Sequence, residues 1–258
     1  MTGSSSARLS ADRVVLVTGA SGGIGAGVAD RLAEDGWRVA VHGHANATRA
    51  VAVRDRIRAT GVDAESYVAD LSEESAVEQL FRDIIARFGD LHAVVSNHGI
   101  FPRSLVVDMS VEEWDRVLAV NSRSMFLVCR SAARHFKRRG GGRIVTVASG
   151  AASRGLVLGA HYAASKAAIV AFSKTLALEL AADQILVNCV APGTIDTPMP
   201  RGHGTSEEVL QERARTLVPL QRMGQPRDVA EVVTFLLNDR LTWMTGQTLW
   251  VNGGDLMP

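Results

Sequence analysis

The sequence predicts an α/β fold: one doubly wound parallel sheet of about seven strands, with helices on both faces. Two observations predict it. Short apolar runs alternate with longer stretches of helical periodicity from Val14 to Val251, the pattern of successive βα units. A glycine-rich turn, Thr18 to Gly25, joins the first apolar run to the first helical stretch. No composition shift, repeat or low-complexity segment interrupts residues 12–258, which are expected to form a single domain behind a flexible Ser/Gly-rich tail at 1–11.

Taken in order, Val14-Val15-Leu16-Val17 reads as a buried strand. Thr18-Gly19-Ala20-Ser21-Gly22-Gly23-Ile24-Gly25 follows, then a helix through Val28, Leu32 and Ala33 to Gly36. This order suits a pyrophosphate. The glycines permit a tight turn and close backbone approach, and the helix N-terminus offers unpaired N–H groups. A purely structural βα turn would carry the same glycines.

Residues 38–42 read as strand two and 47–59 as a helix. In dinucleotide folds an acid at the end of strand two holds the adenosine ribose. Here the chain reads Gly43-His44-Ala45-Asn46, with no acid, and His44, Asn46 or Arg49 could meet a 2′-phosphate. NADP(H) is therefore favoured, with NAD(H) still open. His42 and His44 would share one side of a strand, but no third ligand stands near and no metal is expected.

Residues 64–68 form the expected third strand, ending at Asp70-Leu71, and Ser72 reads as the N-cap of a helix over 73–88 closed by Gly89. Strand four is expected at 91–96, followed by Asn97-His98-Gly99. Ser110 and Glu113 form a capping box that opens one long helix through Trp114, Asn121 and Val128. Asn121 falls inside its apolar pattern, so a hydrogen-bonding partner is implied, structural or functional. Strand five is expected at 143–148, a helix at 160–181, strand six at 185–190, a helix at 226–238 and a last strand at 247–251. Residues 198–217 turn irregular and then amphipathic. They lie beyond a strand's C-terminal end, where open α/β sheets bind ligands, and read as a substrate lid.

A formal net charge of +1 argues against bulk binding to nucleic acid or anionic membrane. Cys129 and Cys189 sit in separate apolar runs and read as buried thiols of a reducing compartment. With no membrane span or signal peptide expected either, the predicted address is the cytoplasm.

The helix at 160–181 carries Tyr162 and Lys166, four residues apart and hence on one face. A phenol beside an ammonium is a proton donor whose conjugate base is tolerable near neutral pH. The later turns of this helix are apolar around most of their circumference, so it needs cover on more than one side. A homo-oligomer is expected, a tetramer ahead of a dimer.

The glycine turn, Asn121, Ser149, Tyr162-Ala163-Ala164-Ser165-Lys166 and Pro192-Gly193-Thr194-Ile195-Asp196-Thr197 together resemble the short-chain dehydrogenases/reductases, over nearly the whole chain from Val14 to Gly254. The closing segment from Thr245 to Gly254 is similar to the 3-oxoacyl-(acyl-carrier-protein) reductase branch. The resemblance implies a Rossmann-type fold and the reduction of a ketone to a secondary alcohol, with a 3-oxoacyl thioester, a polyketide-like ketone or another hydrophobic ketone as substrate, free or carrier-bound. The alternative is an NAD-dependent secondary-alcohol dehydrogenase working oxidatively. A non-catalytic cofactor-binding protein would be expected to lack the tyrosine, lysine or serine, and all three are present.

The resemblance also implies roles. Tyr162 is the general acid, and Lys166 binds the nicotinamide ribose and lowers the Tyr162 pKa. Ser149 orients the carbonyl, and Asn121 holds a water in a proton relay from Lys166. Gly19, Ser21, Gly22, Gly23, Ile24 and Gly25 surround the pyrophosphate. Asp70 and Leu71 flank the adenine, and Asn97 and Gly99 approach the riboses. Pro192, Gly193, Ile195 and Thr197 meet the nicotinamide end. One departure is His98, where the family usually has alanine; a packing imidazole is the expected reading. Ala182-Asp183-Gln184 replaces the basic residues common in carrier-protein reductases, leaving Arg138 and Arg139 as carrier contacts or as a solvated helix end.

Overall fold

The computed structural model describes residues 13–45, 47–201 and 205–258. The expected tail at 1–11, Asn46, and Gly202, His203 and Gly204 of the expected lid lie outside the described residues. Seven strands form one parallel sheet: β1 (Val14–Val17), β2 (Arg38–Gly43), β3 (Ala64–Val68), β4 (Ala93–Ser96), β5 (Gly142–Val147), β6 (Ile185–Pro192) and β7 (Thr248–Val251). Their order is β3-β2-β1-β4-β5-β6-β7.

Both faces are covered. Along β1, Val14 and Leu16 enter one core and Val15 and Val17 the other, as period-two alternation requires. The first core is closed by α3 (Glu74–Phe88), α5 (Ser124–Arg139) and α7 (Ala160–Leu180). The second is closed by α1 (Gly23–Glu34), α2 (Ala47–Arg58) and α10 (Pro226–Leu236). Strands β1 and β4 are neighbours although β2 and β3 lie between them in sequence. That reversal opens a crevice at their C-terminal ends, where the glycine turn and the Asn97–Gly99 segment emerge.

Three local expectations change. Ser72 does not cap α3: Glu73 occupies the N-cap, and the Ser72 hydroxyl and amide both donate to Asp70 Oδ1, at 2.7 and 2.9 Å. The nearby carboxylate outcompetes the helix end for the hydroxyl. The long helix through Asn121 is two helices, α4 (Val111–Leu118) and α5, joined by a π-helical turn at Ala119–Arg123. Ser110 caps α4 by accepting from the Glu113 amide, but the Glu113 carboxylate turns away to His161 instead of closing the box. His42 and His44 both reach the Ala69–Asp70 segment, at 3.0 and 3.7 Å, but β2 ends at Gly43, so His42 is buried and His44 exposed.

Between β5 and α7 lies the short α6 (Ala151–Arg154). Beyond β6 come α8 (Pro198–Arg201) and α9 (Glu207–Leu217), which packs through a small separate cluster of Leu210, Ala214 and Met223. Both cysteines are buried thiols. No helix among the described residues is long and apolar enough to cross a membrane. Arg139 is engaged by Asp90 and the Gly141 carbonyl.

Candidate active site

The glycine turn is tied down from three directions. Gly19 takes φ +65°, and a Cβ there would stand 2.8 Å from the His98 Cα. A Cβ at Gly25 would stand 2.3 Å from the Gly19 carbonyl oxygen, so only glycine lets α1 start this close to the turn. From β2, His42 accepts the Gly19 amide at Nδ1 (3.2 Å) and donates from Nε2 to the Ala69 carbonyl (3.0 Å). From β4, the Asn97 amide donates to the carbonyls of Thr18 (3.0 Å) and Gly19 (3.3 Å). Gly22 is the N-cap of α1 with no capping side chain and open space beside it, while Ser21 is half-buried in the turn. Thr197 lies across the turn: a Cβ on Gly23 would meet its methyl at 3.4 Å. The uncapped helix end and glycine-lined approach fit a pyrophosphate.

The third tie is His98, whose role sequence reading left at packing. Thr18 Oγ1 lies 2.8 Å from Nδ1, and Ser124 Oγ lies 2.5 Å from Nε2. Ser124 in turn donates to the Val120 carbonyl inside the π-turn. This order fixes the tautomer: Nε2–H donates to Ser124, and Nδ1 accepts from Thr18. Burial, with the charges of His42 and Lys166 adding, pushes the imidazole down to about 3, so it stays neutral. His42 is likewise held down to about 4 by burial.

The π-turn places Asn121, which is fully buried. Its Nδ2 donates to the Ile100 carbonyl and to Ser165 Oγ, both at 3.0 Å, and its Oδ1 accepts from the Ile100 amide at 2.8 Å. Asn121 thus brackets the segment after β4 to α7. A Cβ on Gly99 would lie 3.1 Å from Asn121 Oδ1 and 3.5 Å from Lys166 Nζ. Both groups border one small space that any larger residue at 99 would fill.

Tyr162 and Lys166 project from the first turns of α7, and both are buried. His161 holds that helix start: its Nδ1 accepts the Tyr162 amide at 2.8 Å, and its Nε2 lies 3.1 Å from Glu113 Oε1. Sequence reading missed His161; its place beside Tyr162 was the only signal. Lys166 Nζ donates to the Val147 carbonyl at 2.9 Å and lies 5.7 Å from the centre of the Tyr162 ring. Burial pushes the Lys166 ammonium down to about 8. Burial also pushes the Tyr162 phenol above its ordinary 10, with only its hydrogen bond to Ser149 opposing. The expected lowering by Lys166 is therefore reversed in this structure. Desolvation of the phenolate outweighs an ammonium directed at a carbonyl.

Ser149, Tyr162, Ile24, Pro192, Gly193, Ile195 and Thr197 line one cavity of about 550 Å³. Phe101, Arg103, Arg154 and Arg213, unread in the sequence, line it too. The Phe101 and Tyr162 rings stack with centroids 4.6 Å apart. The adenosine-end residues stand apart, beyond β2 and β3. Leu71 is buried, and exposed His44 lies 3.7 Å from Asp70 Oδ2. The strand-two end has no acid, but β3 brings a carboxylate beside His44. Hydrogen bonds from Ser72 hold that carboxylate below its usual range.

The sequence model of a family described as Enoyl-(Acyl carrier protein) reductase matches residues 19–255. A versicolorin reductase of Emericella nidulans is 41% identical over 253 residues, covering 94% of this chain and 95% of the relative. A 3-oxoacyl-(acyl-carrier-protein) reductase of Staphylococcus aureus is 38% identical over 242 residues, covering 94% and 97%. The crystal structure of a short-chain type dehydrogenase/reductase from Mycobacterium marinum superposes with a TM-score of 0.90 at 32% identity, covering 98% of each chain. With these matches spanning the glycine turn, the Tyr162–Lys166 helix and the closing strand, the chain belongs to the short-chain dehydrogenase/reductase family.

Proposed function

We propose that this protein reduces a ketone to a secondary alcohol with NADPH, residues 12–258 acting as one dinucleotide-binding and catalytic domain and 198–217 as its substrate lid. The observation that carries this is the buried Tyr162, hydrogen-bonded to Ser149, with Lys166 one turn further along the same helix and a cavity lined by Tyr162 and Ser149. The similarity to reductases of 3-oxoacyl and versicolorin substrates supports it.

Gly19, Ser21, Gly22, Gly23, Ile24 and Gly25 would hold the pyrophosphate, and Asp70, Leu71, Asn97 and Gly99 the adenosine and riboses. Pro192, Gly193, Ile195 and Thr197 would hold the nicotinamide end. When bound, the nicotinamide supplies the hydride. The protein supplies the rest. Ser149 donates to the ketone oxygen and fixes its direction. Tyr162, kept protonated by burial, gives its proton to that oxygen as negative charge develops. Lys166 stabilises the phenolate. A water between Asn121 Oδ1 and Lys166 Nζ, beside Gly99, would carry the replacement proton inward.

The absence of an acid at Gly43 and the exposed His44 support NADPH; the Asp70 carboxylate near His44 and the lack of a basic residue at Gly22 favour NAD(H) and the oxidative reading. Following nicotinamide absorbance over a panel of ketones and 3-oxoacyl thioesters separates these readings. Faster turnover and tighter binding with NADPH are expected. Tighter NADH binding would overturn the cofactor assignment, and no oxidation with any ketone would overturn the reaction.

The outer face of α7 exposes Ala167, Ala168, Ala171 and Leu178, the last 83% exposed. Lys174, Thr175 and Glu179 are exposed among them, and the small and apolar side chains of this core helix support assembly into a homo-oligomer. A cytoplasmic enzyme acting on a small-molecule substrate is consistent with the buried free thiols.

A further inference from the structure

Three separate walls of the cavity each contribute an arginine: Arg103 after β4, Arg154 at the end of α6, and Arg213 on α9. They are not equivalent. Arg154 Nη1 is paired with Asp255 Oδ1 at 2.6 Å. Arg103 meets no carboxylate among the described residues; it donates to Thr205 Oγ1 at 3.1 Å and lies 5.7 Å from the centre of the Phe101 ring. That places its guanidinium one ring beyond the Tyr162 phenol, because Phe101 itself stacks on Tyr162. Arg213 has no ion-pair partner among the described residues either.

The contrast with the surrounding arginines is informative. Arg201 pairs with Asp196 and Glu207, Arg215 with Glu212, and Arg222 with Asp228. None of these lines the cavity, and each is neutralised. Of the three arginines that line the cavity, Arg154 is neutralised, while Arg103 and Arg213 meet no carboxylate among the described residues. Around them the wall is apolar, with Leu156, Val157, Met199 and Leu217. Arg103 is half-buried and Arg213 exposed at the cavity, and the planar forks of both match two-oxygen anions.

We propose that the substrate is a ketone with an apolar skeleton and an anionic group, held by Arg103 and Arg213. This rests on the ketone-reductase reading and extends it to the class of substrate. The anion could be the carboxylate of a free oxo acid or the phosphate of a pantetheine arm; a guanidinium fork takes either.

The test compares kcat/KM for matched pairs with NADPH: an oxo acid against its methyl ester on one carbon skeleton, and a 3-oxoacyl pantetheine with and without its 4′-phosphate. The expected result is a preference of about tenfold for the charged member of at least one pair, narrowing in high salt. Whichever pair shows it identifies the anion. Arg213→Ala and Arg103→Gln are each expected to remove most of that ratio. Because a ratio within one variant is read, partial loss of fold cancels. Equal turnover of charged and neutral members overturns the proposal, as does a preference that survives both substitutions. If neutral ketones are reduced well, the reductase reading stands while this one falls. If no ketone is reduced, both fall.

Discussion

On the cofactor side of the cleft, the glycine turn is held by His42 from β2, by Asn97 from β4 and by Thr18 through His98 to the π-turn. On the substrate side, α9 rests on Leu210, Ala214 and Met223, a cluster separate from both main cores. The first wall is fixed by buried, directional bonds between strand ends. The second is a small apolar patch with charged groups facing inward. A common cofactor needs one geometry, whereas a lid must open and can vary in chemistry. Tyr162 stands where the two walls meet.

The largest effect should come at that junction. Tyr162→Phe removes the proton donor while leaving both walls in place. A fall in kcat of about 10²- to 10⁴-fold is expected, with NADPH affinity retained in a fluorescence titration. Near-normal turnover would refute Tyr162 as the acid.

Lys166 gives a pH test. Its ammonium is held at about 8, so it is charged at neutral pH and loses its proton as pH rises through that value. Reduction should decline above about pH 8. Lys166→Arg, which keeps its charge, should abolish that fall while lowering the maximum rate roughly tenfold or more. A decline unchanged in that variant would assign it to another group.

Leu210→Ala loosens only the substrate wall. Truncation of a buried leucine costs about 2–5 kcal/mol locally. The expected outcome is a loss of roughly tenfold in kcat/KM for ketone, with KM for NADPH and the main thermal transition unmoved. A matching loss in NADPH affinity would show that the walls are not independent.

His98→Ala loosens the other wall. Thr18 and Ser124 keep other partners, so the expected cost is about 1–3 kcal/mol, with KM for NADPH raised a few-fold and ketone KM little changed. Stability should also respond to acid. Folded His98 stays unprotonated down to about 3, whereas the unfolded chain takes up a proton below the ordinary 6.5. Protonation therefore favours unfolding, and stability is lost as pH falls below about 6.5. The slope is up to about 1.4 kcal/mol per pH unit for each such histidine. Melting temperatures of the variant should fall less steeply over that range than those of the wild type; parallel curves would remove His98 from the acid response.

The smallest effect on chemistry is expected from Leu178→Glu, outside both walls. Sedimentation should report a smaller species, with activity reduced only a few-fold. An unchanged sedimentation coefficient would move the proposed interface away from this face of α7.

The central strands β1 and β4 were legible in the sequence because both faces are buried and each is written as a short apolar run, whereas the edge strands β3 and β7 are only partly buried. The glycine turn was legible for a steric reason: a Cβ at Gly25 would strike the Gly19 carbonyl. Tyr162 and Lys166 were legible because helical spacing alone puts them on one face. The π-turn was not, since one extra residue in a helix leaves the apolar periodicity nearly intact. Nor was the hydrogen-bond chain from Thr18 through His98 to Ser124, whose members come from three elements. The direction of the Tyr162 shift also depended on depth of burial, which no local spacing encodes. By itself the sequence determined the parallel doubly wound class, the glycine turn and the helical spacing of Tyr162, the proposed acid, with Lys166. Only the tertiary structure decided which arginines face the cavity without a carboxylate. That depends on which side chains far apart in sequence come within ion-pairing distance.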